Sequence, residues 1–171
     1  MEKDTAKIRG DSEYYRQLAA RSAKLRITRN INCLVELLHE DAKVPTRQNP
    51  TDAGYDVYSP YDYKIEPKAS FVIPLRIRVK SPLGYFYKIE NRSSMLRAGL
   101  HIRVGIIDST YTGELEVKII NDTTKHVTIE KGQRIAQLIF YPQINASMEL
   151  TEDMPEEKGE RGKAGFGSTG K

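Results

Sequence analysis

The chain has 171 residues, with 27 Lys and Arg, 23 Asp and Glu, three His, one Cys and no Trp. This length fits one domain with an appendage. The single Cys33 excludes a disulfide framework within the chain, and together with the three scattered His residues it excludes a Cys/His zinc site. No apolar run approaches the roughly 18 residues of a membrane span, and no signal-peptide core follows the charged start. We therefore expect an intracellular protein of the cytoplasm or nucleus.

The positive charge is concentrated at the start of the chain. Residues 1–33 hold eight basic and four acidic residues, so 19 of each remain in the rest, which is balanced. From Asp11 to Arg29 there is no Gly or Pro and helix formers are frequent, with Asp11 or Ser12 available as an N-cap. The sequence predicts a basic N-terminal extension, residues 1–31, containing a short helix.

From residue 32 onward the sequence predicts strands separated by turns. A compact apolar run at 32–38 is followed by four stretches in which apolar residues alternate with small or polar ones. The alternating positions are Phe71, Ile73, Leu75, Ile77 and Val79, then Tyr85, Tyr87 and Ile89, then Leu115, Val117 and Ile119, then Val127 and Ile129. Such period-2 patterns indicate half-buried strands. Many short strands predict an all-β sandwich or barrel over residues 32–150.

The last residues, 151–171, have a different composition. They hold five of the 12 glycines and an acidic stretch at 152–160. Nothing there can fill a core, so we expect a flexible C-terminal arm that a ligand or a neighbouring molecule would order.

Two segments between the strands carry polar groups suited to an anion. Asp56 lies in a strand-like context at 53–59, where a carboxylate needs a partner or a metal, although a structural Asp at a strand end is the plainer interpretation. At 91–95, Arg92 followed by Ser93 and Ser94 suits a phosphate, because a guanidinium, two hydroxyls and helix-start amides all donate hydrogen bonds. The alternative is that Ser93 or Ser94 is the N-cap of a short surface helix.

The segment 105–115 has two apolar arms around a polar centre, which predicts a hairpin. Asp108 follows a pair of Ile residues, and a carboxylate beside an apolar pocket can act as a general base on one water. An inert turn Asp is the alternative. Tyr111 is either a platform for a substrate or a cross-strand aromatic.

Two further segments complete the set. In the predicted turn and strand at 131–139, Gln137 is an amide in an apolar run, so we expect it to have a hydrogen-bond partner. At 161–170, Phe166 lies between glycines with no core to join and could stack on a flat ligand, while Arg161 and Ser168 suit phosphate. Residues 165–171 match the start of the P-loop pattern but lack its last Ser/Thr and its helix, which excludes that motif.

In this order and spacing, the five segments resemble the five motifs of the trimeric dUTPases over about residues 33–171. Residues 134–139 and 165–170 are close to literal matches. The sequences at 45–50 and 53–59 are similar to those of family members from large DNA viruses, which suggests a viral origin. The resemblance implies a jelly-roll-like β domain that forms a homotrimer with shared active sites. It implies hydrolysis of dUTP to dUMP and pyrophosphate, which limits uracil incorporation into DNA and supplies dUMP for dTTP synthesis.

The resemblance also implies roles for individual residues. Asp108 would activate the water that attacks the α-phosphorus, and Tyr111 would pack on the deoxyribose and exclude a 2′-hydroxyl. The backbone of the predicted hairpin, at Gly105, Ile107 and Glu116, would read uracil. Phosphates would be bound by Arg92, Ser93, Ser94 and Gln137, and a closing arm would contribute Arg161, Phe166, Gly167 and Ser168.

A magnesium ion is implied as the cofactor. Mg²⁺ would bind through the triphosphate oxygens and water, without a direct protein ligand. Asp56 would help to organise this metal and phosphate site indirectly, by holding the residues that contact the ligand.

Three other functions are weighed against this resemblance. A dCTP deaminase of the same fold needs a general-base Glu five residues after the hairpin glycine, and counting from Gly113 this position is Lys118. A dUTPase-like protein could act mainly by binding a protein partner, which an intact set of motifs does not exclude. The balanced charge of the body speaks against a nucleic-acid-binding module.

Overall fold

The structure is a computed structural model that describes residues 30–103 and 105–152. Within these residues the chain forms eleven strands and one short helix. The elements are β1 (Leu34–Leu37), β2 (Tyr55–Tyr58), β3 (Tyr63–Ile65), β4 (Ser70–Pro74), β5 (Ile77–Lys80), β6 (Tyr85–Glu90), α1 (Ser93–Arg97), β7 (Leu100–Arg103), β8 (Ile106–Ile107), β9 (Glu116–Asn121), β10 (Val127–Ile129) and β11 (Arg134–Pro142). The predicted all-β class is confirmed.

The strands form four small antiparallel sheets. The largest has the order β2-β11-β6-β8, and a second has the order β4-β9-β7. Two ribbons, β1-β5 and β3-β10, complete the arrangement. Neighbours in these sheets are mostly distant in sequence, so the fold is held together by long-range pairing.

The alternating residues form the core, as the sequence predicts. Tyr87, Val117 and Ile129 are fully buried, and the remaining alternating positions from Ile73 to Ile119 are also buried, except Tyr85, which is half-buried. Tyr87 donates a hydrogen bond from its hydroxyl to the Val79 carbonyl at 2.8 Å, and burial raises the pKa of this phenol. Phe71 departs from the pattern, because it is exposed beside the Tyr63 ring.

The longest alternating run is not one strand. It is divided at Arg76, whose φ of 57° lies in the left-handed region. Leu75 donates a backbone hydrogen bond to the Leu115 carbonyl, and Leu115 donates one to the Ile77 carbonyl, both at 2.9 Å. The two residues that flank Arg76 therefore both pair with Leu115. Arg76 itself donates its backbone N–H to the Glu114 carboxylate at 3.1 Å. The alternation of burial survives this break, so the pattern alone could not reveal it.

The hairpin predicted at 105–115 is wrong as a strand pair. β8 pairs with β6, whereas β9 pairs with β4 and β7 in another sheet. The backbone of Leu115 is already bonded to the break between β4 and β5, which directs the second arm away from the first. The segment is a crossing between two sheets with a turn at its centre.

Two predicted segments of the chain fall outside the described residues. These are the predicted helix within residues 1–29 and the arm from residue 153 onward, so the domain limits 1–31, 32–150 and 151–171 stay predictions. No helix among the described residues is long and apolar enough to span a membrane.

Asn121, at the end of β9, connects the turn that follows it to the end of β3 through side-chain hydrogen bonds. It is fully buried, and its Nδ2 donates to the carbonyls of Ile65, Glu66 and Lys125 at 2.8–3.1 Å. Its Oδ1 accepts from the N–H and hydroxyl of Thr123. The two N–H groups of the amide are shared among the three carbonyls, so one side chain contacts five polar groups.

Substitution of Asn121 by Ala should lower the free energy of unfolding by about 2 kcal/mol or more, because buried acceptors lose their donor. Denaturant unfolding at fixed protein concentration measures this. The matched control is Asn145→Ala, which removes an exposed amide that accepts only a 3.5 Å hydrogen bond from Gln143. Equal losses in the two variants would contradict the role of Asn121.

Candidate active site

Asp56 is the centre of one part of the site. It lies in β2 opposite Gln137 of β11 and is only 7% exposed. Its Oδ1 lies 2.8 Å from Arg92 Nε, and its Oδ2 lies 3.3 Å from Arg134 Nη1. Backbone hydrogen bonds exchanged with Thr46 fix its position. The expectation that this carboxylate needs a partner is confirmed, and the partners are two arginines.

Arg92, rather than a serine, is the N-cap residue of α1. Its backbone is extended, with φ −92° and ψ 143°, and its carbonyl accepts hydrogen bonds from the N–H groups of Met95 and Leu96. The alternative in which Ser93 or Ser94 caps the helix is wrong, since both lie inside its first turn. Their side chains are exposed. They are thus available to an anion beside Arg92.

Gln137 has the hydrogen-bond partner that the sequence predicts. Its Nε2 donates to the Asn91 carbonyl at 2.8 Å, and the Asn91 Oδ1 accepts from the Ile102 N–H at 2.8 Å. A Cβ at Gly54 would lie 2.3 Å from the Gln137 Oε1, so only glycine allows this packing. Gln137 therefore fixes the residue that precedes Arg92, and a contact with phosphate stays a prediction.

An open cleft of about 490 Å³ lies beside these groups. Its lining contains two arginines and, among the described residues, no carboxylate. The lining residues are Gln48, Tyr58, Arg92, Ser94, Gly132, Gln133 and Arg134. The cleft is therefore polar and suited to an anion. Arg134 lies in the segment 131–139 that the sequence singles out, but no role was predicted for it, and no spacing signal would have placed it next to Asp56.

Asp108 and Tyr111 lie together in the turn that follows β8. Asp108 is exposed, and its carbonyl accepts the Tyr111 N–H at 3.1 Å. The Tyr111 hydroxyl donates to the Glu114 carbonyl at 3.0 Å, so the ring lies back over its own turn instead of pairing across strands. A Cβ at Gly113 would meet this hydroxyl at 2.3 Å, so glycine is required there. The partly exposed ring fits the platform interpretation.

The two groups of residues are far apart within one chain. In the antiparallel pair of β6 and β8, Ile107 lies opposite Tyr87, so Asp108 falls beside Phe86 at the start of β6. Arg92 follows the other end of the same strand. From position 86 to position 92, at about 3.3 Å per residue, the separation is roughly 20 Å. One chain does not bring Asp108 and Arg92 together.

The backbone positions expected to read uracil lie on two different elements. Gly105 is exposed just before β8, and Ile107 in β8 is half-buried opposite Tyr87. Glu116 begins β9 and lies opposite Pro74 of β4. The closing-arm residues Arg161, Phe166, Gly167 and Ser168 lie outside the described residues.

The carboxylate of Asp56 is already engaged by other protein groups. Both carboxylate oxygens of Asp56 are bound by guanidinium groups, so Asp56 organises arginines rather than offering a free ligand. Within residues 30–103 and 105–152, no group of three or more His, Cys, Asp or Glu residues could hold a metal ion. The open cleft instead offers donors for phosphate oxygens.

Comparisons with known proteins identify the family. The family model described as dUTPase matches residues 40–170. The deoxyuridine 5'-triphosphate nucleotidohydrolases of Variola virus and of Vaccinia virus are 40% identical over 147 residues, which is 82% of this chain and 96% of each relative. The mitochondrial enzyme of Homo sapiens is 38% identical over 139 residues, which is 78% of this chain and 53% of the human protein.

Solved structures agree with these relatives. The dUTPase of Staphylococcus bacteriophage 80alpha with dUPNHPP is 32% identical, with a TM-score of 0.76, and the match covers 81% of this chain and 98% of that one. A mutant dUTPase from phage phi11 of S. aureus, whose structure shows a structural Mg(II) ion, is 27% identical, with a TM-score of 0.68 and 72% and 98% coverage. The jelly-roll-like fold is therefore shared, and the chain belongs to the dUTPase family.

Proposed function

We propose that this chain hydrolyses dUTP to dUMP and pyrophosphate, with water activated by Asp108 attacking the α-phosphorus. The observation that carries the proposal is the preformed anion site, in which Asp56 holds Arg92 at 2.8 Å beside an open cleft. Membership of the dUTPase family supplies the substrate. The reaction limits uracil incorporation into DNA and provides dUMP for dTTP synthesis, in the cytoplasm or nucleus, where nucleotides are made.

The cleft side of the site binds the phosphate chain. The side chain of Arg92 is only 20% exposed, and its guanidinium is fixed through Nε to Asp56 and through Nη1 to the Arg134 carbonyl at 3.1 Å. A fixed guanidinium loses little freedom when it binds a phosphate. The exposed hydroxyls of Ser93 and Ser94 add donors at the start of α1. Gln137 supports this end through Asn91 and contacts a phosphate itself.

The turn after β8 supplies the chemistry and the selectivity. Asp108 orients one water and accepts its proton as the water attacks. The Tyr111 ring, held by its hydroxyl on Glu114, packs against the deoxyribose and leaves no room for a 2′-hydroxyl. The backbone at Gly105, Ile107 and Glu116 reads the uracil edge and excludes the methyl group of thymine.

Each active site combines residues from different chains of a homotrimer. The roughly 20 Å between Asp108 and Arg92, set by a strand rise of about 3.3 Å per residue, is too long for one nucleotide triphosphate site in a single chain. The segment after β11 supports assembly, because apolar residues recur there at even positions and are fully open to solvent. Ile144, Met148 and Leu150 are 86%, 91% and 101% exposed. A second copy of the chain would cover them.

The C-terminal arm closes over the bound nucleotide. Phe166 stacks on uracil, Arg161 and Ser168 hold the terminal phosphate, and Gly167 lets the arm approach closely. Closure excludes water other than the nucleophile. If it arrives with the triphosphate, Mg²⁺ would neutralise charge on the phosphate oxygens, without a direct protein ligand. The chain's own contribution is to orient the phosphate chain with Arg92 and the water with Asp108.

Pyrophosphate release measured side by side with dUTP, UTP, dTTP and dCTP tests the function. We expect turnover of dUTP only, since Tyr111 excludes the ribose and the backbone excludes the other bases. Asp108→Asn should retain nucleotide binding and lower kcat by about 10² or more, the scale of a lost general base. Near-normal turnover in this variant would remove Asp108 from its role, and comparable turnover of UTP would contradict the selectivity.

Mixing inactive variants tests the shared site. Chains with Asp108→Asn and chains with Arg92→Ala, unfolded together and refolded as mixed trimers, should regain about a quarter of wild-type activity, because some sites receive both intact residues. The matched control mixes Arg92→Ala with Asp56→Asn. Both of these residues belong to one cluster within one chain, so this mixture should stay inactive. Recovery in neither mixture would contradict a site shared between chains.

Deletion of residues 161–171 tests the closing arm. The truncated chain should lose kcat/KM by about 10² or more, because the nucleotide is no longer enclosed or positioned. Sedimentation should still show the trimer, since the deleted residues lie beyond the β domain. A fully active truncation would refute the closing role.

A further inference from the structure

A bulge in β11 positions Arg134, which begins the motif-like segment 134–139 but has no role predicted from the sequence. Arg134 lies opposite Tyr58 of β2, and Ala136 lies opposite Val57, so Ile135 is an extra residue in the longer strand. Ile135 and Ala136 are both fully buried. A bulge of this kind re-aims the side chains next to it.

The bulge brings Arg134 to the face of Asp56. In a regular strand, side chains alternate, and positions 134 and 137 would point to opposite faces. The extra residue moves Arg134 to the face that carries Gln137 and its opposite residue, Asp56. Arg134 Nη1 lies 3.3 Å from Asp56 Oδ2 there.

Arg134 retains donors after this contact. A guanidinium has five N–H groups, and the ion pair with Asp56 uses one nitrogen. The Arg134 side chain is 39% exposed and lines the cleft together with Arg92 and Ser94. Two guanidinium groups therefore face one cleft while they share one carboxylate, which leaves a net positive charge in the cluster.

We propose that Arg134 binds the phosphate chain of the nucleotide directly, beside Arg92, with Asp56 as the anchor that both arginines share. This rests on the proposed function for the identity of the ligand, and it adds a phosphate-binding residue to the site. The fork of Arg134 reaches the phosphate from the β11 side of the cleft, and Arg92 reaches it from the start of α1.

The test compares Arg134→Ala and Arg134→Lys with the full-length wild type. Binding of inorganic tripolyphosphate is measured by calorimetry, deoxyuridine is assayed as a competitive inhibitor, and KM and kcat are measured with dUTP. Arg134→Ala should weaken tripolyphosphate binding and raise KM by about tenfold, the scale of a lost hydrogen bond to a charged group. For Arg134→Lys, the loss of tripolyphosphate binding and the rise in KM should both be smaller than for Arg134→Ala. Lysine keeps the positive charge but lacks the paired N–H donors of the guanidinium. Binding of deoxyuridine, which has no phosphate, should not change.

The matched control is Lys68→Ala, which removes another exposed cation from a single ion pair, with Asp122 at 2.8 Å, outside the lining of the cleft. It should leave all three measurements unchanged. Tripolyphosphate binding within twofold of wild type in Arg134→Ala would overturn the proposal. So would an equal loss of deoxyuridine binding, since this would show that Arg134 only maintains the shape of the site. Failure of the wild type to hydrolyse dUTP would instead refute the proposed function, and tripolyphosphate binding would still test Arg134.

Discussion

The site depends on one buried carboxylate shared by two arginines. Asp56 is only 7% exposed, and a charge so far from water is stable only when it is paired and hydrogen-bonded. Arg92 and Arg134 satisfy one oxygen each, and Arg92 also donates to the Arg134 carbonyl, which closes a ring of three contacts. The arginines are thus fixed before any ligand arrives. Both oxygens of Asp56 are engaged in this ring, so the carboxylate holds the two arginines in place.

The strand register determines which other residues lie near the contacts among Asp56, Arg92 and Arg134. Asp56, Gln137 and Glu90 are opposite one another across β2, β11 and β6, so three separate segments of sequence meet at one end of a sheet. β8 is antiparallel to β6, and this direction carries Asp108 to the other end. The sheet that assembles the arginine cluster therefore separates it from Asp108 of the same chain. The proposal that each site is shared between chains follows from this register.

The sequence predicted the elements better than their partners. Alternation identified the buried positions because it depends on which side of a strand each residue faces, and this is a local property. The break at Arg76 was not predictable, since its left-handed backbone is held by distant Glu114 and burial alternates across it unchanged. The hairpin prediction failed because Leu115 pairs with residues near position 76. Arg134 was missed for a related reason, since an extra residue in β11 changes the face that simple counting assigns.

The distribution of charge explains why these contacts must be local. The excess of basic over acidic residues falls within residues 1–33, and the remaining 19 basic and 19 acidic residues cancel. A balanced body has little long-range field to attract a polyanion, so affinity has to come from donors at contact distance. Exposed charges are screened by salt more strongly than partly buried ones. Arg92, at 20% side-chain exposure, is therefore the more salt-resistant of the two guanidinium groups, and Arg134, at 39%, is the more accessible one. An accessible arginine beside a sheltered one suits a phosphate chain that enters from solvent and ends next to the fixed guanidinium.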